Sequence, residues 1–300
     1  MFRLFISALL VALVSSCAPA YAADYHFCDT GGNDSNDGSS GSPWLTWTKV
    51  LDTYEAAVGG DNILFCRNGT IDVTSSRQVY NTSTSDTSRV TFDAYGAGDI
   101  PIINPADNTI PLYFGSLKTA GQGNDGGINI QNLNFKCATR DCAPRAIWLQ
   151  NAVSWVTMDN ITVDGFVSGI HTGKFGNSDG AKDITLQNSV VKNNHIQGFY
   201  GGSDNLIIDN NTFDNNGGDE DSLDHNIYVA ETASTGYTGR ITNNKLYRNS
   251  QKYQDVIDLG TDDFTVNPVV DESVVGNTSG ATGTVESITA DEIVILLPDR

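Results

Sequence analysis

Between Asn132 and Asn249 one short pattern is written over and over: apolar-x-apolar-x-Asn-x-x-apolar. Its copies are Ile128-Ile130-Asn132-Phe135, Val156-Met158-Asn160-Val163, Ile184-Leu186-Asn188-Val191 and Leu206-Ile208-Asn210-Phe213. A weaker copy, Ile241-Asn243-Leu246, has Gly239 at its first position. The anchor asparagines step by 28, 28, 22 and 33 residues, and the last three copies carry a further asparagine at Asn194, Asn216 and Asn249. Apolar alternation at period two predicts strands. Strands recurring at such an interval predict a solenoid.

A second phrase sits inside each repeat: Ala146-Ile147-Trp148, Gly169-Ile170-His171, Gly198-Phe199-Tyr200, Asn226-Ile227-Tyr228 and Val256-Ile257-Asp258. Its central residue falls 15, 10, 11, 17 and 14 residues after the anchor. Each repeat therefore predicts two strands and a turn of variable length. A βαβ unit would need an amphipathic helix per repeat, and the spacing contains none. The expected fold is all-β: a right-handed parallel β-helix, with the hand set by crossover chirality. A sandwich of short strands is the alternative, but it does not place an asparagine at one phase in coil after coil. In a β-helix that amide can bond to the same amide one coil away.

The chain carries a net charge of −19, with only 18% charged residues and 30 glycines. The glycines suit many tight turns. The charge makes nucleic acid and anionic membrane surfaces poor partners. Residues 1–22 read as a signal peptide: Arg3, an apolar run from Leu4 to Val14, and an Ala20-Tyr21-Ala22 end. The run is too short for a membrane span, so secretion or a cell-surface place is expected, without membrane insertion. Val14-Ser15-Ser16-Cys17 resembles a lipoprotein signal and is the lesser alternative. Removing the leader leaves Cys28, Cys66, Cys137 and Cys142, an even count that predicts two disulfides. Three pairings are open; Cys28 with Cys66 and Cys137 with Cys142 are expected. Zinc is the weaker reading, because no C-x-x-C or nearby His pair accompanies them.

Residues 23–263 are expected to form the solenoid with its N-terminal cap, and 264–300 a small β appendage, a truncated module or a homo-oligomer contact. Residues 28–42, CDTGGNDSNDGSSGS, form a turn cluster that could also hold calcium through Asp29, Asp34, Asn36 and Asp37. Thr48 to Val58 predicts an amphipathic helix with Val50, Leu51, Tyr54, Ala57 and Val58 on one face, plugging the first coil. The run GSPWLTWTKVLDTYEAAVGGDNILFCRNGT, followed by RVTFDAYGAGDIPIIN, resembles the N-terminal end of secreted right-handed β-helix proteins of the pectate-lyase-like superfamily. The resemblance covers roughly residues 26–260. It implies the fold and a carbohydrate-active context; the superfamily spans lyases, hydrolases, epimerases and phage tailspikes.

In the second phrase the middle residue is expected to point inward and its neighbours outward. That gives an outward column of Trp148, His171, Tyr200, Tyr228 and Asp258 beside a small column of Ala146, Gly169, Gly198, Asn226 and Val256. Aromatic faces beside a shallow groove suit sugar rings; the plain alternative is a stack that only stabilises the sheet. Arg145, Lys174, His195, Gln197, Asp224 and His225 lie nearby, and Asp219, Glu220 and Asp221 in an inserted stretch are candidate metal ligands. Polysaccharide lyases of the superfamily remove a proton beside a uronate carboxylate while a cation, often calcium, stabilises the resulting charge. On that resemblance His171, Tyr200, Tyr228 or His225 would serve as base and Arg145 or calcium as neutraliser. A glycoside hydrolase would need paired carboxylates, Asp224 and Asp258. The expected partner is a polysaccharide, with a non-catalytic glycan binder or surface fibre as the alternative.

Overall fold

The computed structural model describes residues 22–117, 125–173, 181–218, 225–229, 239–249, 254–258, 273–275, 282–288 and 292–296. The chain opens with β1 (Asp24–Phe27) and α1 (Trp47–Ala56), then winds in coils. One coil supplies β2 (Asn62–Cys66) and β3 (Thr70–Val73), the next β4 (Val90–Tyr95), β5 (Ile102–Pro105) and β6 (Leu112–Phe114). There follow β7 (Asp125–Gln131), β8 (Asn134–Lys136) and β9 (Arg145–Gln150), then β10 (Val153–Asp159), β11 (Thr162–Asp164) and β12 (Ser168–Gly173). Further coils give β13 (Lys182–Gln187), β14 (Val190–Lys192) and β15 (Gln197–Tyr200), then β16 (Asp204–Asp209), β17 (Thr212–Asn216) and β18 (His225–Tyr228). β19 (Gly239–Thr242) and β20 (Lys245–Asn249) start one more. The first strands of the coils pair into an eight-stranded sheet, the second into a seven-stranded and the third into a five-stranded one. Every neighbour pair in these three sheets is parallel, which makes the architecture a parallel β-helix.

The expectation of two strands per repeat is corrected to three, and the anchor asparagine is the reason. Asn132, Asn160, Asn188, Asn210 and Asn243 have φ between 51° and 58°. That left-handed conformation is one that asparagine tolerates and most residues avoid. The repeated phrase therefore straddles a corner: its first apolar pair lies on one strand and its last apolar residue on the next. The side chains inside stack on their own kind. Phe92, Ile130, Met158, Leu186, Ile208 and Ile241 are in register in the first sheet. Ile103, Phe135, Val163, Val191, Phe213 and Leu246 do the same in the second, and Leu112, Ile147, Ile170, Phe199 and Ile227 in the third. Most of these side chains are fully buried, each contributing about 1.5–3 kcal/mol by leaving water.

Hydrogen bonds run along the corner with a period of two coils. Asn160 Nδ2 donates to Asn132 Oδ1, and Asn210 Nδ2 to Asn188 Oδ1, both at 2.7 Å. Asn188 and Asn243 instead donate to the carboxylates of Asp159 and Asp209, at 2.7 and 2.8 Å. The preceding position alternates in step: Asp93 accepts from Gln131, Asp159 from Gln187, and Asp209 from the Thr242 hydroxyl. No two carboxylates are stacked there, so the ladder avoids like-charge repulsion between rungs. The second sheet shows the same device on its outer side. Lys136, Asp164, Lys192, Asp214 and Tyr247 are in register, and Lys192 Nζ lies 3.6 Å from Asp164. The additional asparagines form an inner ladder: buried Asn194 donates to Asn216 Oδ1 at 2.7 Å, and Asn216 to Asn226 Oδ1 at 2.8 Å.

The helix begins one residue earlier than the hydrophobic pattern indicates, and Val58, expected on its buried face, lies beyond it and is exposed. Trp47 takes that place, stacking on Phe65 and donating Nε1–H to Pro111 O at 3.1 Å. The 28–42 loop is a plain turn cluster. Asp34 accepts from the backbone of Leu45 and Thr46 and from the Thr46 hydroxyl, Asp37 from Ser39, and Asp29 from Thr30 and Thr70. Cys28 bonds Cys66 with Cα atoms 5.1 Å apart, and Cys137 bonds Cys142 with Cα atoms 5.7 Å apart. At the other end β21 (Gln254–Asp258), β22 (Ser273–Val275), β23 (Thr282–Ile288) and β24 (Glu292–Leu296) form an antiparallel sheet. The fifth copy of the second phrase, Val256-Ile257-Asp258, pairs antiparallel with β24 and is not hydrogen-bonded into the third sheet.

Candidate functional site

The third sheet carries the side chains that differ from coil to coil. Tyr113, Trp148, His171, Tyr200 and Tyr228 stand in register on its outer side. The rings pile on one another along the solenoid. Tyr113 and Trp148 centroids are 4.3 Å apart and nearly parallel at 4°, and Trp148 and His171 are 5.8 Å apart at 26°. The pile then breaks, with His171 and Tyr200 at 4.5 Å and 66°. Tyr200 and Tyr228 follow at 5.4 Å and 36°, and His225 lies flat against Tyr228 at 5.0 Å and 5°. The expectation of open aromatic faces is thereby corrected. Tyr113 and Trp148 spend a face on each other, and the pile offers solvent its edges. The small column is corrected too. Ala146 and Asn226 are buried, and a Cβ on Gly169 or Gly198 would approach the inner Asn194 or Asn216 amide. These residues give the inner asparagine ladder room rather than lining an outer groove.

Arg145, at the start of β9, is a cation of this face. Its guanidinium lies 4.4 Å from the Trp148 ring centre, and its Nε–H donates to His171 Nδ1 at 2.7 Å. His171 is only 3% exposed. Burial, and then the Arg145 charge, push the His171 imidazole down to about 3. It is therefore neutral at physiological pH, with its Nδ1 occupied as an acceptor. In this arrangement His171 holds Arg145. Burial also pulls the Arg145 guanidinium below its ordinary value, while Tyr113 and Tyr200 act in the opposite sense. A guanidinium stays charged in either case. Among the described residues no carboxylate makes a salt bridge with Arg145, and its two Nη groups make no hydrogen bond. Beside it, Ser168 Oγ donates to Gln197 Oε1 at 2.8 Å, and Gln197 is in register with His225.

At the N-terminal end of the pile lies a cluster that the repeat pattern did not reveal. Gln78 and Tyr80 flank Val79, which bridges to Phe114. Tyr80 Oη donates to Gln78 Oε1 at 2.6 Å, Gln78 Nε2 to Gln150 Oε1 at 2.6 Å, and Tyr113 Oη to Gln150 Oε1 at 2.7 Å. Burial first, then Tyr80, raise the Tyr113 phenol above its ordinary value, so it stays a donor. A short stretch of chain around an isolated bridge gives no alternation to read, which is why the sequence kept this cluster hidden.

On the adjoining turn, the loop closed by Cys137 and Cys142 reaches over later coils. Asp141 lies 2.5 Å from His195 Nδ1, and Arg140 donates to the carbonyls of Asn194 and Gly217 at 3.2 and 2.7 Å. Lys174, Asp219, Glu220, Asp221 and Asp224 lie outside the described residues, as do residues 1–21 of the leader. Among the described residues one group of three potential metal ligands gathers, Cys28, Asp29 and Cys66, and its two sulfurs are already bonded to each other. In the 28–42 loop, Asp29, Asp34 and Asp37 accept hydrogen bonds from separate parts of the chain. No helix among the described residues is long and apolar enough to cross a membrane.

No protein-family model matches the chain, and no curated protein matches it. Among solved structures it is similar to a GH136 lacto-N-biosidase from Eubacterium ramulus, with 12% identity and a TM-score of 0.48 over 72% of this chain and 45% of that one. It is similar to pectate lyase Pel9A, with 15% identity and a TM-score of 0.44 over 74% of this chain and 63% of that one. It is also similar to an alginate lyase from Paenibacillus sp. str. FPU-7, with 11% identity and a TM-score of 0.31 over 68% of this chain and 96% of that one. The chain thus spans about half the length of the first of these proteins and under two thirds of the second. The β-helix itself rests on the register of the three parallel sheets.

Proposed function

We propose that the protein is a secreted, carbohydrate-active β-helix that binds a uronate-containing polysaccharide across the third sheet and cleaves it by β-elimination. The observation that carries this reading is Arg145, a half-buried guanidinium with no carboxylate partner among the described residues, in a chain of net charge −19. A fork of N–H donors held by a neutral imidazole matches a carboxylate. With that carboxylate on Arg145, the hydrogen on the adjacent ring carbon becomes more acidic, because the charge developing on the carboxylate oxygens is stabilised. Tyr200, close enough to Arg145 for the two to interact electrostatically, is the group to which that proton goes, through its phenol oxygen. The electron pair forms the new C=C bond, and the neighbouring glycosidic C–O bond breaks, its oxygen leaving with a proton. Tyr228, beside Tyr200, and His225, stacked on Tyr228, are the groups assigned to supply that proton. The same reading includes a right-handed winding, a capping role for α1 and export after cleavage at Ala22. Calcium enters it only as a bridge between an acidic chain and an acidic glycan.

A panel of uronate and neutral glycans, with and without chelator, tests the reading by absorbance of the unsaturated product and by reducing ends. Absorbance is expected, and Tyr200→Phe should remove it while retaining binding. Reducing ends without absorbance would make the protein a hydrolase. Binding without either would make it a glycan binder.

A further inference from the structure

We propose that Gln78, Tyr80, Tyr113 and Gln150 form a second recognition site, for an uncharged residue of the glycan whose carboxylate Arg145 holds. The inference takes the class of glycan from the function proposed above; the site itself stands on its own geometry. Its hydrogen bonds run in one direction only. The Gln78 oxygen accepts from Tyr80, so its nitrogen is the donor to Gln150. The Gln150 oxygen then accepts twice, from Gln78 and from Tyr113. Gln150 Nε2 is left with two N–H groups that meet no acceptor among the described residues, on a half-buried side chain. The cluster is built over Gly115, where a Cβ would come 2.3 Å from Gln78 Nε2 and 2.6 Å from Tyr80 Cε1. Gln150 lies two residues beyond Trp148, hence on the same outer side of β9. One strand thus presents a cation at its start, a ring in its middle and a pair of neutral donors at its end.

That order sorts ligand chemistry. Two N–H groups on one amide suit an acceptor oxygen, either a sugar hydroxyl or an acyl carbonyl. A second carboxylate would meet no cation among the described residues of this cluster, in a chain whose net charge is −19. The glycan implied is a mixed polymer, in which uronate residues are joined to uncharged ones.

Calorimetric titration with three polymers tests this: a homopolymer of uronate, an alternating uronate and N-acetylhexosamine polymer, and an alternating uronate and neutral hexose polymer. Wild-type protein should bind at least one alternating polymer about tenfold more tightly than the homopolymer. The acyl carbonyl is the ligand if the N-acetylated polymer leads, the hydroxyl if the two alternating polymers bind alike. Gln150→Glu should abolish the preference without lowering the melting temperature, because a carboxylate accepts the same two hydrogen bonds but offers no donor. Gln150→Met, which is uncharged, should abolish it as well. A preference that survives both variants, or is absent from wild type, overturns the proposal. Arg145→Gln should weaken all three polymers alike. If it weakens none while the preference still depends on Gln150, the proposed function falls and this site stands. If wild type binds no polymer, both fall.

Discussion

The corner between the first and second sheets and the outer side of the third are cut from the same coils, and they use them in opposite ways. At the corner each coil repeats one solution: an asparagine in the left-handed region, an amide reaching back one rung, an acid alternating with an amide. On the third sheet the geometry repeats while the chemistry does not. Successive rungs carry Tyr113, Trp148, His171, Tyr200 and Tyr228, and beside them Arg145, Ser168, Gln197 and His225. Repetition of a residue at constant geometry marks what holds a solenoid together. Variation at constant geometry marks a place free to recognise something.

The largest expected effect breaks the comparison if it fails. Arg145→Gln should lower turnover by about 100-fold or more, while shifting the melting temperature by no more than about 2 °C. A variant that melts early but keeps its activity would move Arg145 to the structural side. Asn160→Ala should do the reverse, losing about 2 kcal/mol in urea unfolding. About half comes from forcing alanine into the left-handed region and half from the lost amide bonds. Asn160→Gly should recover the conformational half, which separates the two causes.

Titration sharpens the contrast further. His171 has its folded value depressed from 6.5 to about 3, so the unfolded chain binds the extra proton between those limits. Its contribution is complete above the unfolded value and is lost as pH falls toward 3. The slope should be about 1 kcal/mol per pH unit at roughly pH 5.5, and should vanish in His171→Asn when melting temperature is followed against pH. The smallest effect belongs to the corner. Hydrogen bonds from Thr242 and Asn243 hold the Asp209 carboxylate below its ordinary value. Its stabilisation is present above the unfolded carboxylate value, about 3.9, and fades in more acid solution. Asp209→Asn should flatten that last part of the acid melt and lower neutral stability by the same small amount.

Much of this was readable from residue order. Burial of Ile147, Ile170, Phe199 and Ile227 and the recurrence of Asn132 through Asn243 follow from periodicity alone. Periodicity carries no φ angle, however. An asparagine that continues a strand and one that turns a corner are written identically, so three strands were read as two. The pleat rule failed at Gly169 and Gly198 for a similar reason. Their missing side chains make room for an amide six residues past an anchor, Asn194 or Asn216, a demand set by the neighbouring coil. Arg145 was visible as a charge near the rings, but its engagement with His171 depends on a rotamer. Gln78 and Tyr80 belong to no repeat and had no pattern to betray them.

The alternation along the ladders also limits how such a chain can be lengthened or shortened. Removing the single coil that contains β13, β14 and β15 would take out Gln187 and Lys192 together. Asp159 would then face Asp209 in the first sheet, and Asp164 would face Asp214 in the second, two like-charge contacts from one excision. Removing two consecutive coils leaves both alternations intact. A pair of turns is therefore the unit that preserves both alternations.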